Sequence, residues 1–292
     1  MAERYDQESG QFVCDFISRL PTTDTGKLFN LYDWQRSALM EFYGTQVSEQ
    51  DIKDIPAPIN AEWLRKYWYL YLEIPKKNGK SELAAALGLY HLFADGELNA
   101  EVYICAADKE NASIVYNAAV FMATSAPWTA KMVARGELKI TESRKRIEYR
   151  RRIKTGNGGY KWVTIGVMQV LSAEAYSKHG YKPSCVIFDE LHAQPSRELW
   201  DIMTGAAGAS RRQPVWIVLT TAGDDPDRGS IGWEIHDKAV AIRDARQLRR
   251  IQEEGGDARK VLSLRHAADE DLADAEQALL ERDEENWLPI LY

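Results

Sequence analysis

Three things are scarce in this 292-residue sequence, and each absence excludes something. Cysteine occurs only as Cys14, Cys105 and Cys185, far apart and with no C-x-x-C pair. That leaves no basis for a disulfide framework or a thiolate metal site, and reads as buried, reduced thiols in a cytosolic protein. Long apolar runs are missing: no segment approaches the ~20 residues that span a bilayer. The N-terminal MAERYD has no apolar signal core. A basic excess is missing too, since 37 Lys and Arg against 44 Asp and Glu leave a net charge of −7. This argues against a chain that coats nucleic acid through its overall charge, but leaves room for a local basic patch. The five histidines include no pair at metal-ligand spacing, and there is no internal repeat or low-complexity tract.

What is present is a 45% hydrophobic chain, long enough for one large domain with a full core. Phe12, Phe16, Ile17 and Leu20 are spaced like one face of a helix that stops at Pro21. Residues 33–43 read as a second helix with Asp33 as a candidate N-cap, followed by a Pro-containing connection, Ile55 to Asn60. From Tyr67 the pattern changes. Apolar strand-like runs at 67–74, 101–107, 184–189 and 215–221 alternate with helical stretches at 80–93, 111–123, from about 196, and 230–249. Residues 138–150 and 161–167 suggest shorter, partly exposed strands. This alternation predicts an α/β fold with a mostly parallel sheet covered by helices on both faces. Residues 252–285 are strongly charged and read as a solvated linker with one helix, about 271–282, and 286–292 read as a new strand starting. The expected organisation is an N-terminal helical segment (1–60) packed on a core (61–250), then a charged linker (251–292) leading to a domain that is absent.

The strongest chemical signal is Pro75-Lys76-Lys77-Asn78-Gly79-Lys80-Ser81, between a buried strand and an Ala-rich helix. A phosphate-binding loop needs that context: backbone N–H groups at the helix N-terminus cradle phosphates, Lys80 reaches them, and the Ser81 hydroxyl binds Mg²⁺. The usual first glycine is replaced by Ile74. Asp189 and Glu190 end the apolar run CVIFDE, where one acid holds Mg²⁺ and the other orients and deprotonates water, unless they only cap the following helix. Thr220 and Thr221 end the next strand; they either sense the γ-phosphate or simply enter a turn. His192 follows the acid pair closely enough to touch its hydrogen-bond network, although a satisfied supporting or surface histidine is the simpler reading, and Trp200, Trp216 and Trp233 read as core.

The set KKNGKSE, LSAEAYSKHGYKPS, VIFDELHA, RELWDIMTGAAGASRRQP, LTTAG and SIGWEIHDKA resembles the tailed-phage terminase large subunit family over roughly residues 30–245. The basic P-loop with Asn before Gly is similar to that family's version. The resemblance implies a P-loop NTPase of the ASCE type that hydrolyses ATP with Mg²⁺ and packages double-stranded DNA into procapsids. It also implies a homo-oligomeric ring (or a monomer in isolation), a portal and a small terminase subunit as partners, and the cytoplasm of an infected bacterial host.

Carried over residue by residue, Lys80 and Ser81 match the phosphate and Mg²⁺ ligands, Asp189 and Glu190 the metal-binding and catalytic acids, and Thr220 and Thr221 the coupling motif. Gln35 is similar to a glutamine that reads adenine. Lys76 or Lys77 is a candidate to stabilise the γ-phosphate in cis. Arg144, Arg146 and Arg150, with Arg151 and Arg152, form a basic cluster of candidate arginine fingers or DNA-phosphate contacts, and Arg211 and Arg212 form another pair. The family's C-terminal nuclease would begin where this chain ends, so no nuclease activity is expected. Two alternatives stay open: a helicase-like DNA ATPase, which would need a second motor domain, and a nucleotide-gated assembly module with little activity alone.

Overall fold

The structure, a computed structural model, describes residues 2–48, 62–172, 180–205, 211, 213–223, 225–255 and 286–291. The 55–60 connection, the 271–282 helix, Arg212 and parts of the motifs at 171–184 and 197–214 lie outside the described residues.

The chain opens with β1 (Glu3–Tyr5) and α1 (Gln7–Ile17). Asp6 caps α1 by accepting from the Glu8 N–H and the Ser9 hydroxyl. The buried face is Gly10, Val13, Cys14 and Ile17, so the expected stripe is rotated, and Phe12 is 54% exposed. α2 (Asp33–Gly44) crosses α1 at Gly10, where a Cβ would come within 2.9 Å of the Met40 backbone. Its N-cap is Tyr32 rather than Asp33; Asp33 is the first helical residue, where its charge suits the helix dipole. β2 (Thr45–Ser48) and β3 (Trp63–Arg65) complete a small antiparallel sheet of order β1-β2-β3, which the helical reading of this region lacks.

The main body then follows as β4 (Tyr69–Glu73), α3 (Lys80–Phe93), β5 (Ala100–Ala106), α4 (Lys109–Ser125), α5 (Pro127–Ala134), β6 (Leu138–Thr141), β7 (Arg146–Lys154), β8 (Tyr160–Ser172), β9 (Cys185–Asp189), α6 (Glu198–Thr204), β10 (Val215–Thr220), α7 (Ile231–Glu253) and β11 (Trp287–Leu291). One eight-stranded sheet runs β11-β4-β10-β9-β5-β8-β7-β6. Its first six strands are parallel, and β7 and β6 add antiparallel. The mostly parallel sheet with helices on both faces is therefore as the alternation predicted. The C-terminal strand is present, but it does not begin another element: β11 pairs with β4 as the sheet's edge.

Strand periodicity sorts the core into two layers. Leu70, Leu72, Cys185, Ile187, Val215, Ile217 and Leu219 join α1, α3 and α4 on one face. Tyr71, Val186, Phe188, Trp216 and Val218 join α6 and α7 on the other, with Trp200. Trp200 and Trp216 are core as expected, Trp233 is only half-buried, and all three cysteines are free and buried.

A buried polar network ties the N-terminal segment to the sheet. Arg65 pairs with Asp95 and donates to the Gln213 carbonyl at 3.0 Å. His91 Nδ1 lies 3.1 Å from the same carboxylate, and its Nε2 lies 2.9 Å from the Tyr43 hydroxyl. Burial alone would raise the Asp95 carboxyl, but the Arg65 charge and His91 outweigh it and hold it well below the carboxylate range. Removing Asp95 strands a buried guanidinium. Asp95→Ala is therefore expected to cost about 3–5 kcal/mol in urea unfolding, far more than loss of an exposed ion pair.

Candidate nucleotide site

The loop between β4 and α3 turns on two left-handed residues, Lys77 (φ 67°) and Gly79 (φ 71°), with Gly79 as the N-cap of α3. The Asn78 amide braces it by donating to the Pro75 and Lys76 carbonyls at 3.1 and 3.3 Å. Gln35 is 1% exposed: its Oε1 accepts the Tyr32 N–H and its Nε2 donates to the Asn78 carbonyl at 3.4 Å. In this structure Gln35 thus braces the loop from α2. The first turn of α3 presents its N–H groups and the positive end of its dipole at the loop's mouth.

Lys80 is 6% exposed. Its ammonium donates to the Ile74 and Pro75 carbonyls and meets Glu190 Oε1, each at 3.3 Å. One residue on, the Ser81 hydroxyl donates to Asp189 Oδ2 at 3.1 Å. The second oxygen, Asp189 Oδ1, is buried without a hydrogen-bond partner among the described residues. Burial, then the charge of Glu190, push the Asp189 carboxyl up to about 7. A hydroxyl beside an orphaned, charge-crowded carboxylate is a donor set suited to a hard divalent cation. Ser81 and Asp189 therefore fit Mg²⁺.

Glu190 adopts φ 54° and ψ 58°, a left-handed conformation that costs a non-glycine residue energy and is held by what surrounds it. Its Oε2 accepts from the Thr221 N–H and hydroxyl, both at 3.2 Å, and lies 3.2 Å from His192 Nδ1. Burial would raise its carboxyl, but the hydrogen bond to His192 and the Lys80 charge outweigh this and lower it, so it is ionised at neutral pH. Thr220 Oγ1 lies 3.0 Å from His192 Nδ1. The short turn Leu191–Ala193 is wedged against the chain beyond β10: a Cβ on Gly223 would come 2.8 Å from His192 Cβ, and one on Gly232 would come 2.5 Å from His192 Cα. The acid pair, the threonines and the start of α7 are thus in direct contact.

The sequence matches the terminase large subunit ATPase domain family over residues 63–237. The chain belongs to that family. Among solved structures it is similar to the large terminase of bacteriophage HK97, with a TM-score of 0.54, 25% identity and 72% of this chain covered. The chain spans 37% of the length of that protein. The Thermus phage P74-26 large terminase ATPase domain matches with a TM-score of 0.44, 21% identity and coverage of 55% of this chain and 62% of that one. No curated protein matches.

Elsewhere in this terminase ATPase domain the arginine candidates separate by register. Arg144 is exposed, in a turn before β7 on the sheet edge that carries the nucleotide site. Arg146 pairs with Glu148 at 3.2 Å. Arg150 opposes Thr164 further along β7, towards the other end of the sheet, and donates to the Gly136 carbonyl at 2.6 Å. β7 lies three strands from β9, about 14 Å at the usual ~4.8 Å spacing. Arg211 is used up on Glu97, Glu101 and three backbone carbonyls. Sequence reasoning missed a second cluster beside the threonines, where His236 Nδ1 and the Tyr71 hydroxyl contact Glu73 Oε2 at 2.6 and 2.7 Å. Glu73 ends the strand that leads into the P-loop, and that placement was the available signal.

The raised Asp189 carboxyl has a consequence for the nucleotide-free chain. Well below the ordinary 3.8 it is protonated folded or unfolded; above about 7 it is charged in both, and only the folded state bears the burial penalty. Asp189→Asn is therefore expected to stabilise the metal-free protein well above pH 7, by ~2–4 kcal/mol. The gain should shrink steadily as pH falls from 7 and vanish below 3.8, as thermal melts across pH would show.

Proposed function

We propose that this chain is the ATP-hydrolysing motor of a viral terminase, translocating double-stranded DNA into procapsids in the cytoplasm of an infected bacterial host. The observation that carries this reading is the Ser81–Asp189 contact at 3.1 Å, with Glu190 beside it. Backbone N–H groups of the loop from Lys76 to Ser81 would cradle the phosphates of ATP, and Ser81 and Asp189 would hold Mg²⁺. Bound Mg²⁺ supplies charge neutralisation at the β- and γ-phosphates. Lys80 exchanges its two carbonyls and Glu190 for phosphate oxygens. Oε1 of Glu190 is then free to orient a water and take its proton, while Oε2 stays on Thr221. Thr220 and Thr221 pass any shift of that carboxylate to His192 and the start of α7.

No described helix is long and apolar enough to cross a membrane. Residues 1–60 are assigned to a segment packed on the motor, 61–250 to the motor core, and 251–292 to a charged connection towards a nuclease domain, although its last strand sits in the motor sheet. The resemblance supports a homo-oligomeric ring on a portal, fed by a small terminase subunit. Arg144, exposed on the site's edge, is the candidate finger for a neighbour's nucleotide. The second reading is a nucleotide-gated assembly module with low turnover alone. It is favoured by the placement of β7 three strands from β9, which keeps its arginines away from their own chain's site.

Steady-state ATP hydrolysis with Mg²⁺ tests the proposal. Glu190→Gln is expected to lower kcat by about 10²–10⁴-fold while nucleotide affinity is kept. A specific activity that rises with protein concentration would indicate an arginine supplied by a neighbour. Equal turnover of variant and parent would show that Glu190 is not the base.

A further inference from the structure

We infer that the overhanging end of the β7–β8 hairpin is the surface with which this chain grips the phosphate backbone of duplex DNA; the inference rests on the packaging reading above. β8 pairs with β5 only from Gly166 to Ser172. Residues 160–164 and their partners 150–154 therefore run past the end of β5 as a free two-stranded ribbon. That end is opposite the nucleotide site, which lies where Ser172, Ala106 and Asp189 are level. A grip here leaves the phosphate loop unobstructed.

The ribbon's chemistry is unlike the rest of the chain. Between positions 146 and 162 there are six basic residues and one acid, Glu148, in a protein of net charge −7. Glu148 is already neutralised by Arg146 at 3.2 Å and Lys139 at 3.7 Å. Arg151, Arg152, Lys154 and Lys161 are all exposed and have no ion-pair partner among the described residues. Crowding unpaired like charges on a two-stranded ribbon opposes folding, and a polyanion removes that cost.

The aromatic residues sharpen the fit. Tyr160 and Trp162 are 59% and 40% exposed, large rings left open to solvent on the ribbon. Arg152 lies over the Tyr160 ring at 4.3 Å and Arg150 over Trp162 at 5.0 Å. These contacts fix the guanidinium groups without consuming their charge. Arg150 is further anchored on the Gly136 carbonyl, so the ribbon is braced at its base against the turn after α5. A two-stranded ribbon is narrow enough for the major groove of B-DNA, and its connecting Thr155–Gly159 turn contains three glycines that allow close approach to a backbone. Arg and Lys on phosphates read no sequence, as packaging of any genome requires.

The test is binding of a labelled random-sequence duplex to the full chain, by fluorescence anisotropy over a series of KCl concentrations. The parent is compared with the fourfold variant Arg151→Gln, Arg152→Gln, Lys154→Gln, Lys161→Gln and with the charge-keeping variant Arg151→Lys, Arg152→Lys. The fourfold variant is expected to bind about tenfold or more weakly, with a log–log salt slope shallower by about 3–4, while the lysine variant binds like the parent. Thermal midpoints no lower than the parent's would show that all three chains are folded, and the fourfold variant, relieved of like charges, is expected to melt at or above the parent. If the parent binds duplex and the fourfold variant binds it with equal affinity and slope, the hairpin is not the grip and the packaging reading survives. Equal loss in both variants would also overturn the assignment, since charge would not be what matters. A parent that binds no duplex even at the lowest salt sinks the packaging reading itself, and this inference with it.

Discussion

The parallel register of β4, β10 and β9 is the constraint on which the rest of this molecule depends. It sets Glu73 level with Thr220, and Leu219 level with Asp189, so three loops leave the sheet at one edge. Strand parity then decides which way each terminal residue faces. Cys185 and Ile187 pack on the α3 side, and Asp189, two residues on, continues that face and meets Ser81. Trp216 and Val218 pack on the α7 side, and Thr220 continues that face to reach His192. Tyr71 and Glu73 likewise face α7: the Tyr71 hydroxyl donates to Glu73, which meets His236. A slip of one residue in β9 would turn Asp189 away from Ser81 and leave no cation site. The apolar residues that fix the register therefore belong to the chemistry as much as the acids do.

Glu190 is the point where the site's two halves join. One oxygen contacts the P-loop lysine and the other contacts Thr221 beyond β10 and His192. Its left-handed backbone turns the chain sharply into Leu191–Ala193, and Gly223 and Gly232 let that turn be gripped without a side chain between. A tightly packed junction does not deform gradually, which is the physical basis for the proposal that a change at the carboxylate reaches the start of α7.

The local parts of this design were legible in the sequence. The P-loop, the acid pair and the threonines each sit at the end of an apolar run, and those runs, alternating with helical stretches, placed β4, β5, β9 and β10. What escaped was non-local. β1, β2 and β3 are three or four residues long and pair across large separations, so no window reveals them. β11 was visible as a strand, but its partner β4 lies more than 200 residues away, and a terminal strand reads as the start of something new. The α1 stripe was rotated because Gly10, with no apolar side chain to count, is part of the buried face. The arginines formed one cluster in sequence; only the register of β7 against β8 showed that Arg144 and Arg150 lie towards opposite ends of the sheet.

The central claim is that Ser81, Asp189 and Glu190 form a Mg-ATP site. It is tested most directly by a crystal structure of this chain with Mn²⁺ in place of Mg²⁺ and a non-hydrolysable ATP analogue, locating the metal by anomalous scattering. The account predicts metal density at the Ser81 hydroxyl within reach of Asp189, with Lys80 turned from the Ile74 and Pro75 carbonyls onto phosphate. Metal bound away from Ser81 and Asp189, or phosphates away from the Gly79–Ser81 turn, would contradict it.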